Sequence, residues 1–202
     1  MKTTKKYEFT NETKEYNGHT LHKIKRISDG HFGGFIEKED NLSHEGDCWV
    51  AGKAIVFGNA KVYDDARVYG NAKVYDDAEI FGSTEIYDKA IVCENAKVYD
   101  DAEVCGESIV KGTAAIYNES FIYDYANISG NAKIFGRAQI LNYVQISDNA
   151  EVYDNAKVSW QAVVDENAKV YENAHICGNA HVCGNAHIKG DNKINGSQII
   201  KE

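Results

Sequence analysis

The stretch Ala60-Lys61-Val62-Tyr63-Asp64-Asp65 returns twelve residues later as Ala72-Lys73-Val74-Tyr75-Asp76-Asp77. A variant of the same six-residue unit, Ala66-Arg67-Val68-Tyr69-Gly70-Asn71, stands between them. Every sixth residue from Val50 through Ile200 is Val or Ile, without exception. A fixed short period of this kind indicates a repeat architecture before any local pattern is considered.

A second fixed position lies two residues before each Val or Ile and is most often Ala. It runs from Ala54 to Gln198, with small residues at Thr84, Ser108 and Ser120 and departures at Val144, Asn192 and Gln198. Residues two apart on a strand point to the same side, so Ala and Val face inward together. The Gly, Asp and Asn that follow tolerate the left-handed backbone of a tight turn. The unit therefore predicts one short strand and one corner, repeated into a solenoid.

The whole pattern resembles the hexapeptide-repeat proteins across residues 50–200. This resemblance implies an all-β fold, a left-handed parallel β-helix with three hexads in each triangular coil. It gives between eight and nine coils for residues 50–202. The left hand comes from the resemblance alone, because parallel crossovers are otherwise nearly always right-handed.

The segment before the repeats, residues 1–49, is expected to form a small N-terminal β cap. Tyr7-Glu8-Phe9, the Asn17-Gly18 pair and the segment 21–27 fit a hairpin with an Asn-Gly turn. Such a cap would cover the unpaired strand edge at one end of the solenoid. The stretch 33–50 is also similar to the lead-in of hexapeptide-repeat proteins encoded by phages and prophages.

Charge and cysteine content limit the functions to consider. The net charge is −9, and residues 31–202 are the acidic part, so nucleic-acid binding along the solenoid is not expected. Ordered corner carboxylates leave nucleic-acid mimicry as a third functional hypothesis. No membrane span or secretory leader is predicted, and the five cysteines are expected to be free thiols in the cytoplasm of a bacterial host cell.

Taking every eighteenth residue separates the three faces of the solenoid. One face carries a row of aromatic residues, namely Tyr63, Phe81, Tyr99, Tyr117, Phe135, Tyr153 and Tyr171. A neighbouring row alternates in charge, namely Lys61, Glu79, Lys97, Ala115, Lys133, Glu151 and Lys169. Coils about 4.8 Å apart would let the rings stack and the charges pair. We interpret these rows mainly as stabilising ladders, with a stacking platform or partner surface as the alternative.

A second face carries an outward aliphatic row, namely Ile55, Ile91, Ile109 and Val163. Outward aliphatic residues that no neighbouring element covers suggest packing by another protein chain. This row is therefore the predicted interface of a homo-oligomer, either a dimer or a trimer.

The third face departs from the repeat. Tyr125, Tyr143 and Trp160 occur at one corner in three successive coils, where Gly, Asp or Asn is usual. Phe121, Tyr123 and Leu141 lie outward on the adjoining strands. Aromatic residues gain no core packing at a corner, and exposed Tyr and Trp are typical binding anchors. These six residues are the predicted partner-binding site.

The sequence predicts neither a catalytic site nor a metal-binding site. His175, His181 and His187 are six residues apart, which places them on three different faces, so they cannot share one ion. Acyltransferases of the hexapeptide-repeat family usually carry a loop that interrupts the hexads, a catalytic His and a terminal helix, whereas these hexads are unbroken. We assign no catalytic residue, no metal ligand and no cofactor.

The sequence thus favours a non-enzymatic rod that binds a protein partner. The phage-like lead-in suggests an inhibitor of a bacterial defence system, of the anti-CRISPR type. The alternative is an acyltransferase whose active site forms between subunits.

Overall fold

The fold is an all-β parallel solenoid preceded by an N-terminal strand region. The computed structural model describes residues 5–202. The N-terminal strands are β1 (Tyr7–Tyr16), β2 (His19–Arg26) and β3 (Phe32–Ile36), followed by a single 3-10 turn at Glu39–Asn41. The predicted parallel β-helix is confirmed.

The repeats supply 26 short strands, β4 to β29, at the predicted spacing of six residues. They are β4 Trp49–Val50, β5 Ile55–Val56, β6 Lys61–Val62, β7 Arg67–Val68, β8 Lys73–Val74, β9 Glu79–Ile80, β10 Glu85–Ile86, β11 Ile91–Val92, β12 Lys97–Val98, β13 Glu103–Val104, β14 Ile109–Val110, β15 Ala115–Ile116, β16 Phe121–Ile122, β17 Asn127–Ile128, β18 Lys133–Ile134, β19 Gln139–Ile140, β20 Gln145–Ile146, β21 Glu151–Val152, β22 Lys157–Val158, β23 Val163–Val164, β24 Lys169–Val170, β25 His175–Ile176, β26 His181–Cys183, β27 His187–Ile188, β28 Lys193–Ile194 and β29 Ile199–Lys201.

Each repeat strand pairs in parallel with the strand three hexads away, so residues 18 apart lie side by side. Three sheets result. The first runs β1-β2-β3-β5-β8 and onward to β29, the second from β4 to β28, and the third from β6 to β27. The second sheet has nine strands, one from each of about nine turns. We call a set of residues spaced by 18 a column.

The core consists of two kinds of column, one of Val or Ile and one of Ala. Ala54, Ala138 and Ala186 are fully buried, as are the Val and Ile residues at every sixth position from Val68 to Val182. Where a hydroxyl replaces Ala it is also buried and donates to the carbonyl three residues earlier, as Ser108 does to Cys105 at 2.7 Å. A buried hydroxyl needs such a partner. The predicted corner position is therefore confirmed.

Every corner turns through one residue with a left-handed backbone. Gly70 has a φ of 70°, and Asp64, Asp76 and Asp154 have φ values of 57° to 59°. The Asp side chains have a second role, because Asp76 Oδ2 accepts the amide of Glu94 at 3.2 Å and Asp154 Oδ2 accepts the amide of Glu172 at 3.1 Å. Corner acids thus bind the next coil as well as shaping the turn.

The predicted aromatic row from Tyr63 to Tyr171 forms a continuous stack. Successive ring centroids are 4.8 to 4.9 Å apart and the planes are within 4° of parallel. In the charged row beside it, Lys97 pairs with Glu79 at 3.0 Å and Lys169 with Glu151 at 2.9 Å. The ladder interpretation of both rows agrees with these contacts.

The predicted hairpin is formed by β1 and β2, with Asn17 at a φ of 49° and Gly18 at 84°. Two left-handed residues are what the tightest hairpin turn requires. Strand β2 pairs with β3, and β3 pairs in parallel with β5, so the hairpin continues the first sheet. The core also continues before Val50, since Ile36 and Leu42 are buried in the same cluster and lie beside Val56 and Val62.

The N-terminal strands overturn one expectation about the surface. Ile55 was expected to face outward in the aliphatic row, but only 1% of its surface is exposed. It packs with Leu21 of β2, Phe35 of β3 and Phe57. The hairpin extends the sheet and folds over this residue, so Ile55 belongs to the interior of the chain itself.

All five cysteines are unbridged and buried. Cys93, Cys105, Cys177 and Cys183 follow Val or Ile in the outward phase of the repeat and are nevertheless buried. Cys48 instead occupies the small inward position two residues before Val50. Burial raises the pKa of Cys105 to about 11, and it also raises the pKa of the Cys48 and Cys93 thiols. These three groups are therefore protonated and unreactive at neutral pH.

The Ala column gives a direct test of the corner. Ala138→Leu should lower the free energy of unfolding by about 1–3 kcal/mol, because the buried position has no room for a larger side chain. Gln139→Leu is the matched control, since Gln139 is exposed on the adjacent strand. Chemical unfolding followed by circular dichroism measures both, and equal stability of the two variants would contradict the packing of the corner.

Candidate functional site

The most exposed aromatic residues of the repeats lie at the predicted corner. Tyr125 is 48% exposed, Tyr143 57% and Trp160 66%. Tyr125 and Tyr143 occupy one column and stack, with ring centroids 4.8 Å apart and planes within 5° of parallel. We call these three residues the corner patch.

The other three predicted site residues lie beside the patch and are more covered. Tyr123 is 39% exposed and its ring stacks on that of Phe121 at 5.7 Å. Phe121 and Leu141 are half-buried. The structure therefore divides the six residues into an exposed corner patch and a partly covered apolar border.

Trp160 reaches the corner one position earlier in its hexad than the two tyrosines. It occupies the column of Asn142, whose Oδ1 accepts the Trp160 amide at 3.2 Å. The carbonyl of Trp160 in turn accepts the amide of Tyr143 at 2.7 Å. The indole therefore extends from the left-handed turn residue. The column of Tyr125 and Tyr143 continues with Gln161.

The backbone of Trp160 is in an unfavourable conformation for its side chain. Its φ is 67°, a left-handed value that bulky residues seldom adopt. Among residues 5–202, every other non-glycine residue with a positive φ is Asp, Asn or Glu. Strain held by the surrounding structure is characteristic of functional positions. Trp160 is thus the strongest departure from the repeat.

A shallow cleft of about 330 Å³ adjoins the patch. Its lining includes Tyr123, Tyr125, Asp88, Lys89 and Glu107. Lys89 and Glu107 form an ion pair at 2.8 Å, which raises the pKa of the Lys89 ammonium. The patch therefore combines flat aromatic surface with a charged rim, the usual composition of a protein interface.

The predicted interface row keeps three of its four members at the surface. Ile91, Ile109 and Val163 are half-buried on the first sheet, whereas Ile55 is covered as described. Asn127 and Gln145 separate Ile109 from Val163 in the column. The remaining aliphatic surface consists of one adjacent pair and one separate residue.

The three repeat histidines lie on three different sheets, as their spacing predicts. His175 is in β25 of the second sheet, His181 in β26 of the first and His187 in β27 of the third. They cannot converge on one ion. However, His181 also has neighbours in the preceding coil, which the position within one hexad does not reveal. The structure brings His181 next to Asp165 and Cys183. These three residues could hold a metal ion, and the column pattern was the signal that could have identified them.

A cavity of about 780 Å³ lies between the hairpin and the first coils. Lys6, Arg26 and Arg67 line it together with Trp49 and Glu85. The Arg26 guanidinium lies 4.4 Å from the Trp49 ring centre, a cation–π contact that fastens the end of β2 to β4. The sequence did not indicate this cavity, because it forms between distant segments.

Comparison with known proteins gives a short match. A family model described as the YdcK beta solenoid repeat matches residues 60–76. This agrees with the observed repeat β-solenoid architecture. The comparison with curated proteins finds no match.

Within the described part of the chain, no helix has the length and apolar character needed to cross a membrane.

Replacing Trp160 tests the strain at the corner. Trp160→Gly should be more stable than Trp160→Ala by about 1 kcal/mol, because only glycine adopts a left-handed backbone without steric conflict. The control is Tyr143→Gly against Tyr143→Ala, where φ is not positive and glycine should give no gain. Unfolding titrations of the four variants measure both differences. A glycine gain of the same size at both positions would contradict the strain.

Proposed function

We propose that this β-solenoid is a non-enzymatic protein-interaction rod whose partner binds the corner patch. The observation that carries the proposal is Trp160, which is 66% exposed while its backbone is held at a φ of 67°. A residue that lowers stability and gains no burial in the chain itself is best explained by a contact with another molecule.

The chemistry of the patch favours a protein partner. The stacked Tyr125 and Tyr143 and the Trp160 indole offer apolar faces with polar edges, the combination enriched at protein interfaces. The Lys89–Glu107 pair adds charges of both signs at the rim. The partner should therefore present an apolar protrusion or groove surrounded by polar groups.

The decisive experiment compares two double variants. Trp160→Ala with Tyr143→Ala should abolish partner binding and leave the fold intact, because both side chains point outward from an unchanged Val/Ile core. Each lost anchor contributes about 2 kcal/mol, so the affinity should fall about a thousandfold. Tagged wild-type and variant chains are used to capture proteins from bacterial lysate, and the captured partner is then titrated.

Tyr99→Ala with Tyr117→Ala is the matched control. Both residues belong to the stacked ladder on another face, so this variant should lose stability and keep its affinity for the partner. Circular dichroism melts and the binding titration separate the two effects. Unchanged binding in the Trp160/Tyr143 variant would refute the proposed site.

The specific role proposed for the rod is inhibition of a bacterial defence system by a phage-encoded protein. Its support is the resemblance of the lead-in segment 33–50 to phage and prophage proteins. The identity of the captured partner tests this role directly. A component of a defence complex would support it, and a partner from any other process would contradict it.

Self-association is a further part of the proposal. Ile91, Ile109 and Val163 remain partly exposed on the first sheet and could pack against a second copy of the chain. A dimer or trimer in sedimentation velocity would support this arrangement, whereas a monomer would contradict it.

A further inference from the structure

Three side chains on the first sheet form a compact group of metal-binding atoms. Asp165 and Cys183 belong to one column and lie in successive coils, while His181 belongs to the adjoining column. The His181 Nε2 atom lies 2.9 Å from both carboxylate oxygens of Asp165. One ligand atom from each residue lies within 4.8 Å of the other two.

The donor set selects a class of metal. It consists of one thiol sulfur, one imidazole nitrogen and one carboxylate oxygen. Sulfur and imidazole favour zinc and other late first-row transition metals, whereas magnesium and calcium require oxygen ligands. Three protein ligands leave one position of a tetrahedral zinc ion open.

We propose that Asp165, His181 and Cys183 form a binding site for a divalent transition-metal ion of the zinc class, with one coordination position open to solvent or to a ligand. His181 and Cys183 are held in β26, and the Asp165 amide, directly after β23, donates to the Val182 carbonyl at 3.0 Å, so metal uptake needs only side-chain rotation. Binding replaces the hydrogen bond between His181 and Asp165 with two metal bonds, and the proton on His181 Nε2 leaves to solvent so that the neutral imidazole keeps its proton on Nδ1. The Cys183 thiol, which donates to the Ile200 carbonyl at 3.6 Å, releases its proton to solvent on binding.

The surroundings of the site are compatible with a cation. Val163 and Ile199 flank His181 in its own column, so no cationic side chain stands next to the imidazole there. Lys201 lies beside Cys183, but its ammonium is directed to Glu166 at 3.7 Å. Cys183 is only 3% exposed, while Asp165 and His181 are half-buried and reachable from solvent.

The neighbouring face carries the same arrangement with one substitution. Ser159, His175 and Cys177 have the same spacings as Asp165, His181 and Cys183. Ser159 Oγ lies 3.2 Å from His175 Nε2 and supplies a neutral hydroxyl in place of a carboxylate. Burial, together with Lys193 and Lys157 in the same column, also lowers the pKa of His175. This group is a built-in control, because it has the same spacing and a Ser–His contact in place of the Asp–His contact, without the anionic ligand.

Titration with cobalt(II) tests the site on the full chain without any partner. One cobalt ion per chain should bind and give a thiolate-to-cobalt charge-transfer band in the near ultraviolet, with visible bands of a tetrahedral ion, and zinc should displace it. Cys183→Ser should remove the charge-transfer band. Asp165→Ser should weaken the affinity at least about a hundredfold, which is the upper end of the loss seen for residues that only support a ligand.

Two matched variants complete the test. Cys177→Ser should leave the cobalt signal unchanged, and Ser159→Asp should raise the stoichiometry from one ion to two. Asp165→Ser keeps the fold, because serine occupies the same column one coil earlier at Ser147. The proposal is overturned if wild-type protein gives no charge-transfer band, if the band survives in Cys183→Ser, or if it is lost in Cys177→Ser.

Discussion

The parallel, in-register pairing of residues 18 apart is the constraint on which this structure depends. It exists because each corner turns through a residue with a left-handed backbone after a fixed number of residues. Six residues per side and three sides per coil then place identical positions above one another. The Val/Ile and Ala columns fill the core, and the same register builds the aromatic, charged and corner-acid ladders on the outside.

The two proposed sites lie where one residue of a column differs in type from the residues that the repeat usually places there. The Asp, Asn and Glu residues at the left-handed corner position bind the next coil, since their side chains accept the backbone amide above them. These hydrogen bonds weaken the hypothesis of nucleic-acid mimicry, because many corner carboxylates already accept backbone amides within the solenoid. The side chain of Trp160, by contrast, cannot accept a backbone amide from the next coil. Asp165 places a carboxylate beside His181 and Cys183, where the adjoining face has Ser159.

The sequence predicted the columns because their cause is local and periodic. The strand positions, the buried Ala and Val, the aromatic stack and the Asn17-Gly18 hairpin all follow from residue type and spacing. Burial of Ile55 could not be predicted, because it depends on how the hairpin packs against the first coil of the repeats. Counting hexad positions would have shown that Trp160 occupies the left-handed position. Reading whole columns would have placed His181 beside Asp165 and Cys183.

The central claim, a rise of one strand spacing for every 18 residues, is tested most directly by electron paramagnetic resonance. Spin labels are attached at the exposed corner residues Asp65, Asn155 and Asp191, which share one column, in a chain whose five cysteines are replaced by alanine. Five coils separate the first pair and seven separate Asp65 from Asp191. A spacing of about 4.8 Å per coil predicts distances of about 24 Å and about 34 Å. Distances that do not grow by about 10 Å between the two pairs would contradict the coil register and every column derived from it.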